Sequence, residues 1–123
     1  DYVSSLRIKL SGLASPIGSL SGGNQQKVVI GRWLASEPDL IILDEPTRGV
    51  DVGTKEEIHR LIRRFAEDGK GIMLISSDLP EILALSHRII VMHEGDQVAE
   101  LRHAEATEEA VLKHAIGLGA VLN

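Results

Sequence analysis

Two short groups of residues in this sequence could do chemistry, and the first is suited to an anion. It is Ser21-Gly22-Gly23, where residues without side chains let backbone N–H groups approach an anion closely. A helix predicted over residues 24–35 would direct its N-terminal dipole and unpaired N–H groups at that anion. Ser21 can cap this helix or donate its hydroxyl to a phosphate oxygen. Because serine and glycine are common turn residues, an ordinary capped helix is the alternative interpretation.

The second group is the pair Asp44 and Glu45, which follows a continuous apolar run over residues 40–43. Such a run predicts a strand buried on both faces of a parallel sheet, and open α/β sheets bind ligands at the carboxyl ends of their strands. In P-loop NTPases an aspartate here holds Mg²⁺, often through water. Side-chain alternation along the strand predicts that Glu45 points the other way, where it can orient or deprotonate a water. A solvated acidic loop is the alternative.

The composition limits the classes of protein to which the chain can belong. Its 123 residues suffice for one domain with a core. The net charge is −5, which disfavours a nucleic-acid partner, and the lack of cysteine excludes disulfides and cysteine-based zinc sites. No apolar run is long enough to cross a bilayer, and no signal peptide is visible. These features predict a cytosolic chain.

Apolar periodicity and capping residues predict strands that alternate with helices. After a short helix end in residues 1–10, helices are predicted to follow caps at Ser21, Thr54, Asp78 and Thr107, and strands over residues 40–43, 72–75, 88–93 and 97–101. The second helix has a capping box of Thr54 and Glu57, and its buried stripe is Ile58, Leu61, Ile62 and Phe65. The stripe of the last helix is Val111, Leu112, Ala115 and Ile116, and Gly117 ends it. The alternation implies an α/β fold with a parallel sheet, followed by an antiparallel hairpin.

In this order and at this spacing, the two groups resemble the ATPase domain of ATP-binding-cassette (ABC) transporters. Ser21, Gly22, Gly23 and Asn24 match the family's signature loop, which binds the γ-phosphate of ATP held by the opposite domain of a head-to-tail pair. Asp44 matches the Mg²⁺-associated aspartate of the Walker B strand, and Glu45 matches the catalytic glutamate. Residues 49–51 match the D-loop, whose aspartate, Asp51 here, links the two sites across the dimer.

The amino acids at residues 24–27 and 47–53 most resemble those of ATPases from ribose- and xylose-type sugar importers, in which two ATPase domains share one polypeptide. This resemblance implies the second such domain of a P-loop NTPase (RecA-like) fold. Residues 1–35 would end its helical subdomain, 36–103 form the latter part of its core, and 104–123 add a C-terminal helix and tail. It also implies ATP and Mg²⁺ as cofactors. The implied partners are a second ATPase domain, a membrane permease and, indirectly, a sugar-binding protein, with the chain at the cytoplasmic face of the membrane.

Two positions depart from the family pattern. No Gly-x-x-x-x-Gly-Lys-Ser/Thr loop is present, since Gly18 and Gly23 have the glycine spacing but Asn24 follows them. The chain is therefore interpreted as the later part of a larger domain and predicted to be inactive alone. The second departure is Ser77, where the family has a switch histidine. Serine is shorter and does not titrate near neutrality, which implies a degenerate site.

Two other functions remain open at this point, a non-transport ABC ATPase of DNA repair or translation and a non-catalytic regulatory or dimerisation module. The five histidines lack metal-ligand spacing and are interpreted as surface residues. Trp33 is interpreted as a packing residue. Lys55, Glu56, Glu57, Arg63 and Arg64 are interpreted as the solvated face of one helix.

Overall fold

The computed structural model describes residue 4, residues 6–9 and residues 11–118 of the chain. It divides the chain into two compact units, Asp1–Ile75 and Ser76–Asn123, and each unit contains a two-stranded sheet. The helix end predicted in residues 1–10 falls largely outside the described residues. The predicted boundaries at residues 35 and 103 remain predictions.

The first unit is a parallel strand pair joined by a helical crossover. Strand β1 (Leu40–Asp44) pairs with β2 (Gly71–Ile75), with Leu40 opposite Gly71 and Asp44 opposite Ile75. Helix α1 (Gly22–Ala35) precedes β1, and helix α2 (Val52–Glu67) connects the two strands. A short 3-10 helix, Ile17–Ser19, comes before α1. The predicted parallel pairing is confirmed.

The core of this unit consists of aliphatic residues and one phenylalanine. Its buried members are Leu6, Ile30, Ile41, Leu43, Ile58, Ile62 and Phe65. The apolar stripe predicted for α2 is therefore confirmed, with Leu61 half-buried. Both helices and both strands contribute side chains that line one small apolar cavity, so α1 and α2 pack on the same sheet.

The other face of the sheet is open in the described part of the chain, and the prediction of a strand buried on both faces is wrong here. Leu40 and Ile42 of β1 are 57% and 61% exposed, and Met73 and Ile75 of β2 are 51% and 47% exposed. Successive side chains of a strand point to opposite faces, and the helices cover only the face of Ile41. Trp33 is also 61% exposed, which overturns its packing assignment.

The second unit is built around an antiparallel hairpin. It contains helix α3 (Leu79–Leu85), strands β3 (Arg88–His93) and β4 (Asp96–Arg102), a 3-10 helix (His103–Glu105) and helix α4 (Glu108–Ala115). The hairpin is confirmed, and its two loop residues Glu94 and Gly95 both have positive φ, 49° and 87°, as two-residue type I′ turns require. Ile89, Val91 and Val111 form the buried centre.

The predicted buried stripe of α4 is only half right. Thr107 caps the helix by accepting from the backbone N–H of Ala110 at 3.1 Å, and Val111 is buried. Leu112 and Ile116 are 46% and 61% exposed, because the hairpin covers only the side of the helix that Val111 occupies. The predicted stop is confirmed, since Gly117 has φ +82°.

The histidines occupy mixed environments. His87 and His103 are exposed, as predicted, whereas His59, His93 and His114 are half-buried. Nδ1 of His93 lies 2.8 Å from the carbonyl oxygen of Ala115. No cluster of three or more metal-ligating side chains occurs in the described ranges. Among these residues, the helices lack the length and apolar character needed to cross a bilayer.

Candidate functional site

The turn before α1 is held by a serine cap. The helix begins two residues earlier than predicted, at Gly22, with Ser21 as its N-cap. The Ser21 hydroxyl oxygen accepts from the backbone N–H of Asn24 at 3.2 Å and from its side-chain Nδ2 at 2.9 Å. A hydroxyl has two acceptor lone pairs and one hydrogen. With both lone pairs used, Ser21 acts toward any further partner as a donor.

Asn24, assigned to the signature loop from sequence, uses its side chain to hold this turn. Its Oδ1 accepts from the backbone N–H of Lys9 at 3.0 Å, while its Nδ2 donates to Ser21. Gln25 also stabilises the turn, because its Nε2 donates a hydrogen bond to the carbonyl of Leu20 at 2.9 Å. Asn24 therefore orients the Ser21 hydroxyl through the hydrogen bond from its Nδ2.

The two glycines of the turn have different surroundings. Gly22 is exposed, and a Cβ built on it would meet no atom within 4 Å. Gly23 is buried, and a Cβ there would lie 2.5 Å from Cγ2 of Thr54 in helix α2. Open space at the N-terminus of a helix is where an anion can meet backbone N–H groups. Gly22 provides that space, whereas Gly23 allows α1 to approach α2.

The carboxylates lie at the carboxyl end of β1. Asp44 is the last strand residue and is exposed, whereas Glu45 is half-buried. Glu45 leaves the strand with φ +48° while its N–H donates to the carbonyl of Ile75 at 2.8 Å. A left-handed backbone costs a non-glycine residue about 1–3 kcal/mol and clusters at functional sites. The direction of Glu45 is therefore set by this bend, and the expectation from strand alternation does not apply.

Buried neighbours hold this bend in place. Pro46 and Thr47 are buried directly after it. The N–H of Arg48 donates to the carbonyl of Glu45 at 3.2 Å, and the N–H of Val50 donates to that of Thr47 at 3.3 Å. Two successive turns thus connect the carboxylates to α2.

Asp51, the residue assigned to the D-loop, is the N-cap of α2, so the predicted cap at Thr54 is wrong. Asp51 Oδ1 accepts from the N–H of Thr54 at 2.8 Å, and its Oδ2 accepts from the Thr54 hydroxyl at 3.1 Å. The backbone hydrogen bond from Thr54, followed by that of its hydroxyl, lowers the pKa of Asp51. Because carboxylates rank above threonine as N-caps, the helix begins at Val52. The role of Asp51 across a dimer remains a prediction.

An ion pair joins α1 to α2 and was missed from sequence. Lys27 is only 4% exposed, and its Nζ bonds to Oε2 of Glu57 and donates to the carbonyl of Arg7 at 3.2 Å. The hydrogen bond from Lys27 lowers the pKa of Glu57. Glu57 therefore belongs neither to a capping box nor to a solvated face. Lys27 lies one helical turn after Gly23 and therefore on the same face of α1. This spacing is the feature of the sequence from which a contact of Lys27 with a neighbouring element could have been predicted.

Ser77, the position matched to the switch histidine, is an exposed residue of the second unit. It follows Ser76, whose hydroxyl donates to Oε2 of the buried Glu81 at 2.6 Å and accepts from the N–H of Asp78 at 3.0 Å. Asp78 caps α3 as predicted, accepting from the N–H of Glu81 at 3.1 Å. The segment that carries Ser77 is thus fixed by its own hydrogen bonds.

The structure brings two of the predicted groups together within the first unit. Gly23, directly after the Ser21-Gly22 turn, contacts Thr54, which is bonded to Asp51. The bend at Glu45 is attached to the end of β2 through the carbonyl of Ile75.

Comparisons with known proteins identify related sequences. A family model described as ABC transporter matches residues 3–48. The ribose import ATP-binding protein RbsA 2 of Streptomyces avermitilis is 52% identical over 120 residues, which are 98% of this chain and 24% of that protein. RbsA of Rhodococcus jostii is 48% identical over 117 residues, 95% of this chain and 23% of that protein.

A solved structure has the same arrangement of elements. It is a dimeric ATP-binding cassette in a post-hydrolysis state bound to ADP and Pi, with a TM-score of 0.74 and 30% identity. The match covers 83% of this chain and 44% of that one. The chain thus spans about a quarter of the length of its curated relatives and less than half of this cassette. The chain is therefore similar to one segment of the ATPase domain of ABC transporters.

Proposed function

We propose that this chain supplies the signature turn and the carboxylates of a longer protein that hydrolyses ATP to ADP and phosphate and thereby drives sugar import. The observation that carries the proposal is the end of β1, where an exposed Asp44 is followed by Glu45 in a left-handed bend. Similarity to ribose import proteins supports sugar as the transported class.

The residues present suit the nucleotide and metal that the family implies. Mg²⁺ prefers one or two carboxylates together with waters and phosphate oxygens, and the exposed carboxylate of Asp44 can supply such a ligand, directly or through water. In this proposal Glu45 orients the attacking water and accepts its proton at the carboxylate. The Ser21 hydroxyl and the open N-terminus at Gly22 suit a γ-phosphate held by a partner domain.

The open face of the first sheet supports a larger ATPase domain around this segment. Leu40, Ile42, Met73 and Ile75 form an exposed apolar group, and such patches mark surfaces that another part of a protein covers. In the proposed assembly, residues 1–35 end a helical subdomain and residues 36–103 belong to the core. The partners are a second ATPase domain, a membrane permease and, indirectly, a sugar-binding protein, at the cytoplasmic face of the membrane.

The test compares three variants of the full-length protein by steady-state phosphate release. Gly22→Asp places a carboxylate where the γ-phosphate would sit, and we expect it to abolish turnover at the composite site containing this turn. Gly18→Ala is the matched control, since a Cβ at this glycine also meets no atom within 4 Å and Gly18 lies outside the proposed site, so it should retain most of the activity. Glu45→Gln acts at the other site, which the missing switch histidine of the family pattern implies to be degenerate, and should cost less than Gly22→Asp.

The ranking of these variants separates the parts of the proposal. A larger loss for Glu45→Gln than for Gly22→Asp would contradict the proposed asymmetry of the two sites. Equal losses for Gly22→Asp and Gly18→Ala would contradict a specific role of the turn. ATP hydrolysis that does not respond to sugar, binding protein and permease in membrane vesicles would remove the transport function.

A further inference from the structure

Helices α1 and α2 approach each other most closely near their N-termini. Gly23 is buried at the second position of α1, and a Cβ there would lie 2.5 Å from Cγ2, 3.0 Å from Oγ1 and 3.2 Å from Cβ of Thr54. Both branches of the threonine and its Cβ lie close to this position, so a side chain at residue 23 would force the threonine or the helices to shift. The contact therefore requires glycine at position 23 for packing.

A second contact lies one turn further along both helices. Lys27 follows Gly23 by four residues, and Glu57 follows Thr54 by three. Lys27 and Glu57 form the ion pair, in which the lysine is buried and the glutamate half-buried. Residues three or four apart lie on the same face of a helix. The two contacts therefore occur in sequence along one interface between α1 and α2.

Each helix presents a functional group at the end where this interface begins. On α1, the Ser21-Gly22 turn directly precedes Gly23. On α2, Asp51 holds Thr54 by two hydrogen bonds, to its backbone N–H and to its hydroxyl. A short path of contacts thus runs from the turn through Gly23 and Thr54 to Asp51.

We propose that four positioning residues hold the Ser21-Gly22 turn in a fixed position relative to Asp51, so that the turn and Asp51 move as one body. These residues are Gly23, Thr54, Lys27 and Glu57. This inference rests on the proposed function and deepens it. The signature turn and Asp51 would then reach a partner domain together, although their sequence positions are far apart. Weakening these contacts should slow turnover while leaving the affinity for ATP little changed, because the packing of Gly23 on Thr54 and the Lys27–Glu57 ion pair lie between the two helices.

The test is a double-mutant cycle between positions 23 and 54 in the full-length protein. Gly23→Ala should lower kcat for ATP hydrolysis by about tenfold, equal to about 1.4 kcal/mol, with KM within about threefold of the wild type. Thr54→Ala removes both branches that the new methyl group meets. Added to Gly23→Ala, it should restore kcat to the level of Thr54→Ala alone, a coupling that a double-mutant cycle isolates. Gly18→Ala is the control, since it adds the same atom in open space and Gly18 lies outside the proposed site.

Each result decides the inference. Full activity in Gly23→Ala overturns it, and so does a loss that Thr54→Ala fails to restore, since glycine would then be needed for the ligand. Where Gly23→Ala does not fold, Thr54→Val decides, because it keeps the shape against Gly23 and removes the hydroxyl bond to Asp51. Thr54→Val should lower kcat by about 2- to 10-fold, and an unchanged kcat overturns the inference. A wild-type protein without ATPase activity overturns the proposed function itself, and this inference with it.

Discussion

Gly22 and Gly23 are adjacent and identical in type, yet only Gly22 faces open space. The adjacent carboxylates differ in a similar way, since Asp44 ends a regular strand and Glu45 adopts a left-handed backbone. In both pairs the residue type predicts the chemistry that is available. The local backbone and the packing partner then decide which member of the pair a ligand can reach.

A substitution at Ser77 tests whether this position limits turnover. A positioned transition-state contact contributes about 10²–10³ in rate, but an imidazole restores that only where the rest of the site is intact. We expect Ser77→His in the full-length protein to change steady-state phosphate release by less than about tenfold, because a degenerate site lacks more than one part. A larger increase would contradict this and identify Ser77 as the single limiting residue. ATP occupancy is measured in parallel, so that an empty site is distinguished from a slow one.

At the scale of elements, α1 and α2 are each begun by a side-chain cap and joined by an ion pair. Ser21 and Asp51 satisfy N–H groups at the two helix starts. Lys27 and Glu57 neutralise each other between the helices. A buried ammonium without its carboxylate is strongly destabilising, so this pair ties the position of α1 to that of α2.

The ion pair predicts a pH dependence of stability. Lys27 lowers the folded-state pKa of Glu57 below 4.5, so the pair stabilises the protein above that value and its contribution is lost as the pH falls through the folded-state pKa. Glu57→Gln should therefore destabilise the protein most at neutral pH. There it should lower the free energy of unfolding by about 1–2 kcal/mol, after allowance for solvent screening, and Tm should fall with it. The two proteins should converge as the pH falls through the lowered folded-state pKa of Glu57.

Thermal unfolding of the full-length protein between pH 3.5 and 7 measures this difference. The matched control is Glu56→Gln, since Glu56 is 67% exposed and faces Arg60 at 3.6 Å one turn away. Exposed pairs of this kind contribute little, so the control should leave Tm nearly unchanged. A Tm gap for Glu57→Gln that is constant across this pH range would contradict the assignment.

At the scale of the whole molecule, the chain consists of two compact units, each with its own two-stranded sheet. The first unit has an exposed apolar sheet face, and the chain matches only about a quarter of its curated relatives' length. The groups proposed to act on ATP are the turn and the carboxylates, and Asp51 is proposed to reach a partner domain. The loop that would cradle the α- and β-phosphates does not occur in this sequence.

The 123-residue chain should therefore bind ATP–Mg²⁺ only weakly. A dissociation constant of 1 μM corresponds to about 8 kcal/mol, which a signature turn and two carboxylates do not supply without a phosphate loop. Isothermal titration of the chain, with the full-length protein as the positive control, measures the affinity directly. A dissociation constant of about 1 μM or tighter for the chain alone would overturn this expectation.

The sequence by itself determined the features that depend on neighbouring residues. The Ser21, Asp78 and Thr107 caps, the hairpin turn and the central parts of the strands were all predicted, because caps, turns and periodicity act within a few residues. Both candidate groups were also found this way, since their residue types and order are visible in the sequence. The cap at Asp51 was the exception, because Thr54 presented a competing local signal only three residues away.

Only the tertiary structure decided which of these residues meet. It revealed that Gly23 packs on Thr54, that Glu57 pairs with a buried Lys27, and that Glu45 bends out of its strand. It also left Ile42 and Trp33 exposed, although their types favour burial. Burial and ion pairing depend on side chains that are distant in the sequence, 30 residues apart for Lys27 and Glu57. Local propensity carries no information about such partners, and the packing of α1, α2 and the sheet supplies it.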